Sequence, residues 1–132
     1  MIILDTDVCI EILRGNKNVI EKRKMTDKKV AISFMTVGEL FYGAEKSKYK
    51  SKNITLVDEF ILSTEVINTD LQILKNFGEL KVELYNKNIL LPDADIFIAA
   101  TAITCNAILI TGNTKHFNRI ENLIIENWIF IL

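Results

Sequence analysis

Three carboxylates, Asp5, Glu39 and Asp95, lie far apart in the sequence, yet each stands beside residues that must be buried. Asp5 follows the apolar run Ile2-Ile3-Leu4 directly. Glu39 shares a helical stripe with Thr36 and Gly43, offset from the apolar stripe of Val37, Leu40, Phe41 and Ala44. Asp95 precedes Ile96-Phe97-Ile98-Ala99-Ala100, a helix with almost no polar face. An unpaired buried carboxylate is costly unless a cation or several donors compensate it, and the chain offers no obvious buried Arg or Lys near Asp95. A divalent metal answers that need. Clustered carboxylates without a His/Cys ligand set favour hard ions, Mg²⁺ or Mn²⁺, over zinc. Such an ion can activate water and neutralise a phosphodiester transition state. That is nuclease chemistry.

Each residue also has a plainer use. Asp5 suits a helix N-cap or a turn after a strand, and Glu39 suits a solvent-facing helix position. Asp93 and Asp95 both fall near a helix start, where carboxylates meet free N–H groups and the helix dipole. Asp93, just after Pro92, is the better cap candidate. Thr111-Gly112-Asn113 follows an apolar strand and adds polar groups from a fourth segment. His116, the sole histidine, reads first as a surface or structural residue and second as a substrate contact. No P-loop, G-x-G-x-x-G, H-E-x-x-H or serine nucleophile elbow is present.

Positioning these groups requires a scaffold, and hydrophobic periodicity supplies one. Strands are expected at Ile2–Leu4, Val30–Ser33, Glu65–Ile67, 107–110 and 128–132. Helices are expected at 8–13, 19–25, 36–46, 54–62, 70–86 and Asp93–Thr104, with a short turn or helix at 114–120. Residues 46–53 read as a basic, polar connection. Alternating strands and helices imply an α/β fold, a mainly parallel central sheet flanked by helices on both faces. Ligands of such sheets gather beyond the carboxyl ends of the strands, where Asp5 and Thr111 would stand. The 132 residues, with one Pro and five Gly, leave little room for linkers and are expected to form one domain over 1–132.

Charge distribution says more than the net charge of −1. Between Arg14 and Lys52 lie eleven basic residues, opposed only by Glu21, Asp27, Glu39 and Glu45. This half could steer a polyanion toward an acidic, metal-loaded site; a solvated helical surface would look the same. The N-terminus lacks a basic leader and carries Asp5 and Asp7, so no signal peptide is expected. No apolar run approaches the roughly 20 residues that span a bilayer. Cys9 and Cys105 form no C-x-x-C pair and read as buried free thiols of a cytoplasmic protein.

Taken in order, Leu4-Asp5-Thr6-Asp7, Thr36-x-x-Glu39-Leu40-x-x-Gly43, Asp95-x-x-Ile98-Ala99-Ala100, Thr111-x-Asn113-x-x-x-Phe117 and Asn127-Trp128 resemble the PIN-domain family. They are similar in particular to the VapC ribonuclease toxins of toxin–antitoxin pairs, over nearly the whole chain. The resemblance implies a divalent-metal-dependent endoribonuclease leaving 5′-phosphate and 3′-hydroxyl ends. It also implies a homodimer and a small cognate antitoxin docked over the active site. By the same resemblance Asp5, Glu39 and Asp95 take the main metal-binding acidic positions. Asn113 takes a fourth catalytic position, where many relatives carry Asp, and Thr111 and Asp7 take supporting ones. Phe41, Tyr42, Phe60 and Ile61 are candidates for surface covered by a partner.

Two other functions fit part of the pattern. Asp5-Thr6-Asp7 after an apolar strand imitates the nucleophile and acid of haloacid-dehalogenase-like phosphatases, but Thr111-Gly112-Asn113-Thr114 lacks the late acid that chemistry needs. A degenerate PIN domain kept for RNA or protein binding is favoured slightly by Asn113 and opposed by the intact acids.

Overall fold

The computed structural model describes residues 1–130. Its elements run β1 (Ile2–Leu4), α1 (Thr6–Leu13), α2 (Lys17–Met25), β2 (Val30–Ser33), α3 (Phe34–Glu45) and α4 (Lys50–Leu62). They continue β3 (Glu65–Ile67), α5 (Leu71–Asn86), α6 (Asp93–Thr104), β4 (Ile108–Ile110), α7 (Thr114–Phe117) and β5 (Ile125–Glu126). The strands form one sheet in the order β3-β2-β1-β4-β5. Every pairing in it is parallel.

Side chains alternate across a strand, and β1 shows what that does for the core. Ile2 and Leu4 point into one apolar layer with Val8, Cys9, Leu40, Val57 and Phe60 beneath α1 to α4. Ile3, between them, enters the opposite layer with Leu80, Leu84, Ile98 and Phe117 beneath α5 to α7. Both faces of the central strand are therefore covered, and all three residues of β1 are buried. The helix α6, apolar on nearly every side, packs chiefly on α5. Its Phe97 stacks on Phe77, ring centroids 4.0 Å apart. The hydroxyls of Thr101 and Thr104 turn back onto the carbonyls of Phe97 and Ala100, each at 2.7 Å, so neither is left unsatisfied in the apolar layer.

Several ends are set by side-chain caps. Asp70 accepts the Ile73 N–H at 2.8 Å and starts α5, as its place before the apolar stripe implies. Ser33 accepts the Thr36 N–H at 3.2 Å, which begins α3 two residues before the expected start. Asp5 caps α1, again two residues early.

Four expectations are corrected. Among the described residues the last strand lies at Ile125–Glu126, ahead of the expected 128–132: Leu109 N–H and Thr111 N–H donate to the Ile124 and Glu126 carbonyls. Trp128, buried after that strand, and Ile129 form a bend, and 131–132 fall outside the described residues. Helix α4 begins at Lys50, inside the expected polar connection, where Lys50 pairs with Glu45 at 2.8 Å. Asp93 is not a cap; Pro92 holds that position, and Asp93 pairs with Lys81 at 3.0 Å. Phe60 is not surface. It is buried, with the Arg23 guanidinium 5.3 Å above its ring.

Both cysteines are free thiols; Cys9 is buried and Cys105 half-buried. Among the described residues no helix is long and apolar enough to cross a membrane.

Candidate active site

Strand order places the site. Strand β1 has β2 on one side and β4 on the other, so successive crossovers diverge between β1 and β4 and open a crevice at their carboxyl ends. Asp5 follows β1 and Thr111 follows β4. The two close the crevice through the Thr111 hydroxyl, which donates to Asp5 Oδ2 at 2.8 Å. Asp5 Oδ1 accepts the Thr6 N–H at 2.8 Å, so the residue is both the cap of α1 and the floor of the site.

Asp7, one residue into α1, reaches the same loop. Its Oδ2 accepts the Gly112 N–H at 2.9 Å and its Oδ1 the Val8 N–H at 2.8 Å. A methyl on Gly112 would stand 2.8 Å from Ile129 Cδ1 and 2.9 Å from Asp7 Oδ2. Both are side-chain ends, and both must shift for any larger residue to stand here. Asp95 arrives from the first turn of α6, and His116 Nδ1 lies 3.3 Å from its Oδ2. The sole histidine, expected first as a surface or structural residue, is half-exposed and stands beside an acid of this group.

These acids feel one another. Burial pushes the Asp5 carboxyl up to about 7, and the charges of Asp7 and Asp95 push the same way. The bonds from Thr111 and Thr6 lower it but do not prevail. Burial also raises Asp7, against the N–H groups of Gly112 and Val8, with Asp95 adding to the rise. Among the described residues no Lys or Arg pairs with Asp5, Asp7, Glu39 or Asp95.

Glu39 stands at the edge of this group. Thr6 Oγ1 lies 2.7 Å from Glu39 Oε1 and 3.0 Å from Thr36 Oγ1, and Ser33 Oγ lies 3.4 Å from Thr36 Oγ1. A hydroxyl has one proton, so the chain runs Ser33 to Thr36 to Thr6 to the Glu39 carboxylate. Sequence reasoning saw Thr36 only as a stripe neighbour and missed this relay of buried hydroxyls. Asn113 is exposed; its N–H donates to Thr111 Oγ1 at 3.0 Å, and its side chain caps nothing. Asp93, held outward by Lys81, is not part of the cluster.

Among the described residues no three His, Cys, Asp or Glu side chains converge tightly enough to enclose an ion. The donor chemistry nevertheless fits a hard one. The oxygens are carboxylate, the central one is buried without a counter-cation, and Mg²⁺ keeps several waters while taking only one or two carboxylates. Beside Glu39 opens a groove of about 650 Å³, which Asp5, Asp7 and Asp95 do not line. Thr6 and Glu39 line it together with, among others, Leu40, Tyr42, Lys46 and Arg14. Five of the eleven basic residues of the first half have defined places. Arg14 and Lys46 reach the groove, Arg23 bonds the Ser63 carbonyl and Thr64, and Lys29 and Lys50 pair with Glu65 and Glu45.

Known proteins share this arrangement. The PIN domain family matches residues 2–123. Ribonuclease VapC2 of Rickettsia felis is 36% identical over 132 residues, covering 95% of this chain and 96% of that protein. The tRNA(fMet)-specific endonuclease VapC of Salmonella typhimurium is 33% identical, with 95% and 96% covered. The crystal structure of VapBC2 from Rickettsia felis bound to a DNA fragment from their promoter contains a chain that superposes with a TM-score of 0.91. It is 36% identical and covers 97% of this chain and 99% of that one. DNA-bound VapBC from Salmonella typhimurium gives a TM-score of 0.91 at 32% identity, with 97% and 99% covered. On the family match, the identities and the shared fold, this chain belongs to the PIN-domain family and, within it, to the VapC ribonucleases.

Proposed function

We propose that this protein is a divalent-metal-dependent endoribonuclease, the toxin of a toxin–antitoxin pair, acting as one nuclease domain over residues 1–132. The observation that carries this reading is the grouping of buried Asp5 with half-buried Asp7 and Asp95 at the carboxyl end of a parallel sheet, with no Lys or Arg paired to them among the described residues. Asp5, Glu39 and Asp95 are the residues assigned to hold Mg²⁺ or Mn²⁺, with Asn113 offering a neutral oxygen or a hydrogen bond at the rim. When bound, that ion supplies Lewis-acid activation of water and charge neutralisation at the scissile phosphate.

The chain's own residues supply the positioning. Thr111 and Thr6 fix both oxygens of Asp5. Gly112 and Val8 fix Asp7. The hydroxyl relay from Ser33 to Thr6 holds Glu39 at the mouth of the groove. Arg14 and Lys46 line that groove and suit a phosphate backbone, whose attraction for proteins is largely electrostatic. The solved relatives are toxin–antitoxin complexes, which supports a cognate antitoxin as partner. The groove beside Glu39, with Tyr42 66% exposed along it, is the surface we assign to that contact. A homodimer is part of the same reading, and light scattering at micromolar concentration tests it; a monomer would count against it.

The test of function compares single-stranded RNA, DNA of the same sequence and a small aryl phosphate, each with Mn²⁺ and with EDTA. Cleavage of RNA alone, abolished by EDTA, is expected. Equal cleavage in EDTA overturns the metal-dependent reading, and aryl phosphate turnover would favour a phosphatase.

A further inference from the structure

A single segment reaches all three clustered acids. Thr111 donates its hydroxyl to Asp5, Gly112 donates its N–H to Asp7, and His116 Nδ1 lies 3.3 Å from Asp95 Oδ2. The segment is firmly mounted. Phe117 is fully buried in the layer beneath α6, and the Asn113 carbonyl accepts the N–H of His116 at 3.1 Å and of Phe117 at 3.3 Å. The imidazole is therefore carried to Asp95 by a buried anchor one residue away.

Asp95 has little else to hold it. The His116 contact is the one side-chain hydrogen bond its carboxylate makes among the described residues. Asp95 is nonetheless 17% exposed in its side chain, against 44% for His116, so the contact lies at the rim of a sheltered group. An ionised carboxylate only accepts hydrogen bonds; the ring must therefore carry its proton on Nδ1. Carboxylates and imidazoles that steady a ligand from behind typically change metal affinity 10–100-fold when removed.

We infer that His116 is a positioning residue, which fixes the Asp95 carboxylate for a divalent ion by donating Nδ1–H to Oδ2 and leaves the other oxygen without a side-chain partner among the described residues. The inference rests on the reading of Asp95 as a metal ligand. Nothing in it requires the ring to touch the ion or the RNA.

Because His116 is the only histidine, ring ¹⁵N spectra of metal-free protein contain one set of signals. At a pH where those shifts report a neutral ring, the Nδ1–H tautomer is expected; dominance of the Nε2–H form overturns the inference. The second arm is calorimetric titration of Mn²⁺ into the wild type, His116→Ala, His116→Asn, His116→Gln and Asp95→Asn. His116→Ala should weaken binding about tenfold. Asn places an amide N–H near the Nδ1 position and should restore most of the affinity, whereas Gln, which mimics Nε2, should not. Wild-type affinity in His116→Ala, or rescue by Gln alone, overturns the role of His116 and leaves the acidic site standing. No Mn²⁺ binding by the wild type, or full binding by Asp95→Asn, removes the site and this inference together. Should His116→Ala fail to fold, the tautomer measured on the wild type still decides.

Discussion

Replacing Asp5 with Asn should stabilise the metal-free protein, and the structure sets both the size and the pH window of the gain. Asp5 is 4% exposed, and burial and then Asp7 push its carboxyl from 3.8 to about 7. Between those values the folded chain keeps a proton that the unfolded chain releases. Stability from this group is complete below the unfolded value and is lost as pH rises through the folded one. A difference of about 3 units corresponds to a loss on the order of 4 kcal/mol. The Asn variant carries no charge to desolvate. It keeps an acceptor for the Thr6 N–H but gives up the charge-assisted bond from Thr111, which offsets about 1 kcal/mol. Urea unfolding in EDTA should therefore find the variant within about 1 kcal/mol of wild type at about pH 5 and more stable by about 3 kcal/mol at about pH 8. Adding Mn²⁺ should reverse the order, because an ion that binds only the native wild type stabilises it alone. A variant less stable than wild type at the higher pH, or a difference unchanged between the two, would refute the claim that Asp5 is a buried, uncompensated charge.

Three further outcomes follow from particular contacts. Thr6→Val ends the hydroxyl relay and frees Glu39; denaturation should show a loss of about 1–2 kcal/mol, with weaker Mn²⁺ binding by calorimetry. Gly112→Ala drives a methyl against Asp7 and Ile129 and should cost about 1–3 kcal/mol in a thermal or urea melt, with RNA cleavage reduced; unchanged stability would mean the loop yields freely. Asn113→Asp adds a charge at the rim and should tighten Mn²⁺ about tenfold, roughly 1.4 kcal/mol; identical calorimetric curves would confine Asn113 to shaping the turn after β4.

Much of the scaffold was legible because burial on two faces leaves a simple signature. Val30–Ser33, Glu65–Ile67 and Asp93–Thr104 fall where periodicity puts them, and Asp70 caps α5 as its position before an apolar stripe implies. Strand β5 was not legible. Only two residues long, it is defined by its ladder to β4, while the run from Trp128 onward has the stronger strand composition, though its described part, to Phe130, joins no ladder. Nor could spacing reveal that Lys81 would claim Asp93, or that Arg23 would cover a buried Phe60. Both depend on helices brought together by tertiary packing.

The site divides the same way. Asp5 and Thr111 could be placed at strand ends from sequence, because the carboxyl-end rule needs only strand limits. Asp95 was marked by the absence of any polar face around it. The contact of His116 with Asp95 spans 21 residues and passes through a four-residue helix anchored by Phe117, so no periodicity carries it. The relay from Ser33 through Thr36 and Thr6 to Glu39 joins two segments some 30 residues apart in sequence, as Thr6 and Thr36 show. Its members are small polar residues that in sequence look like caps.

The most direct test of the acidic site is the single-turnover rate of RNA cleavage as Mn²⁺ is raised from EDTA-treated protein, with wild type and Asp95→Asn side by side. The account predicts no cleavage without the ion, a rise to a plateau for wild type, and a flat baseline for the variant at every Mn²⁺ concentration. Cleavage in EDTA, or a wild-type plateau from Asp95→Asn, would contradict it.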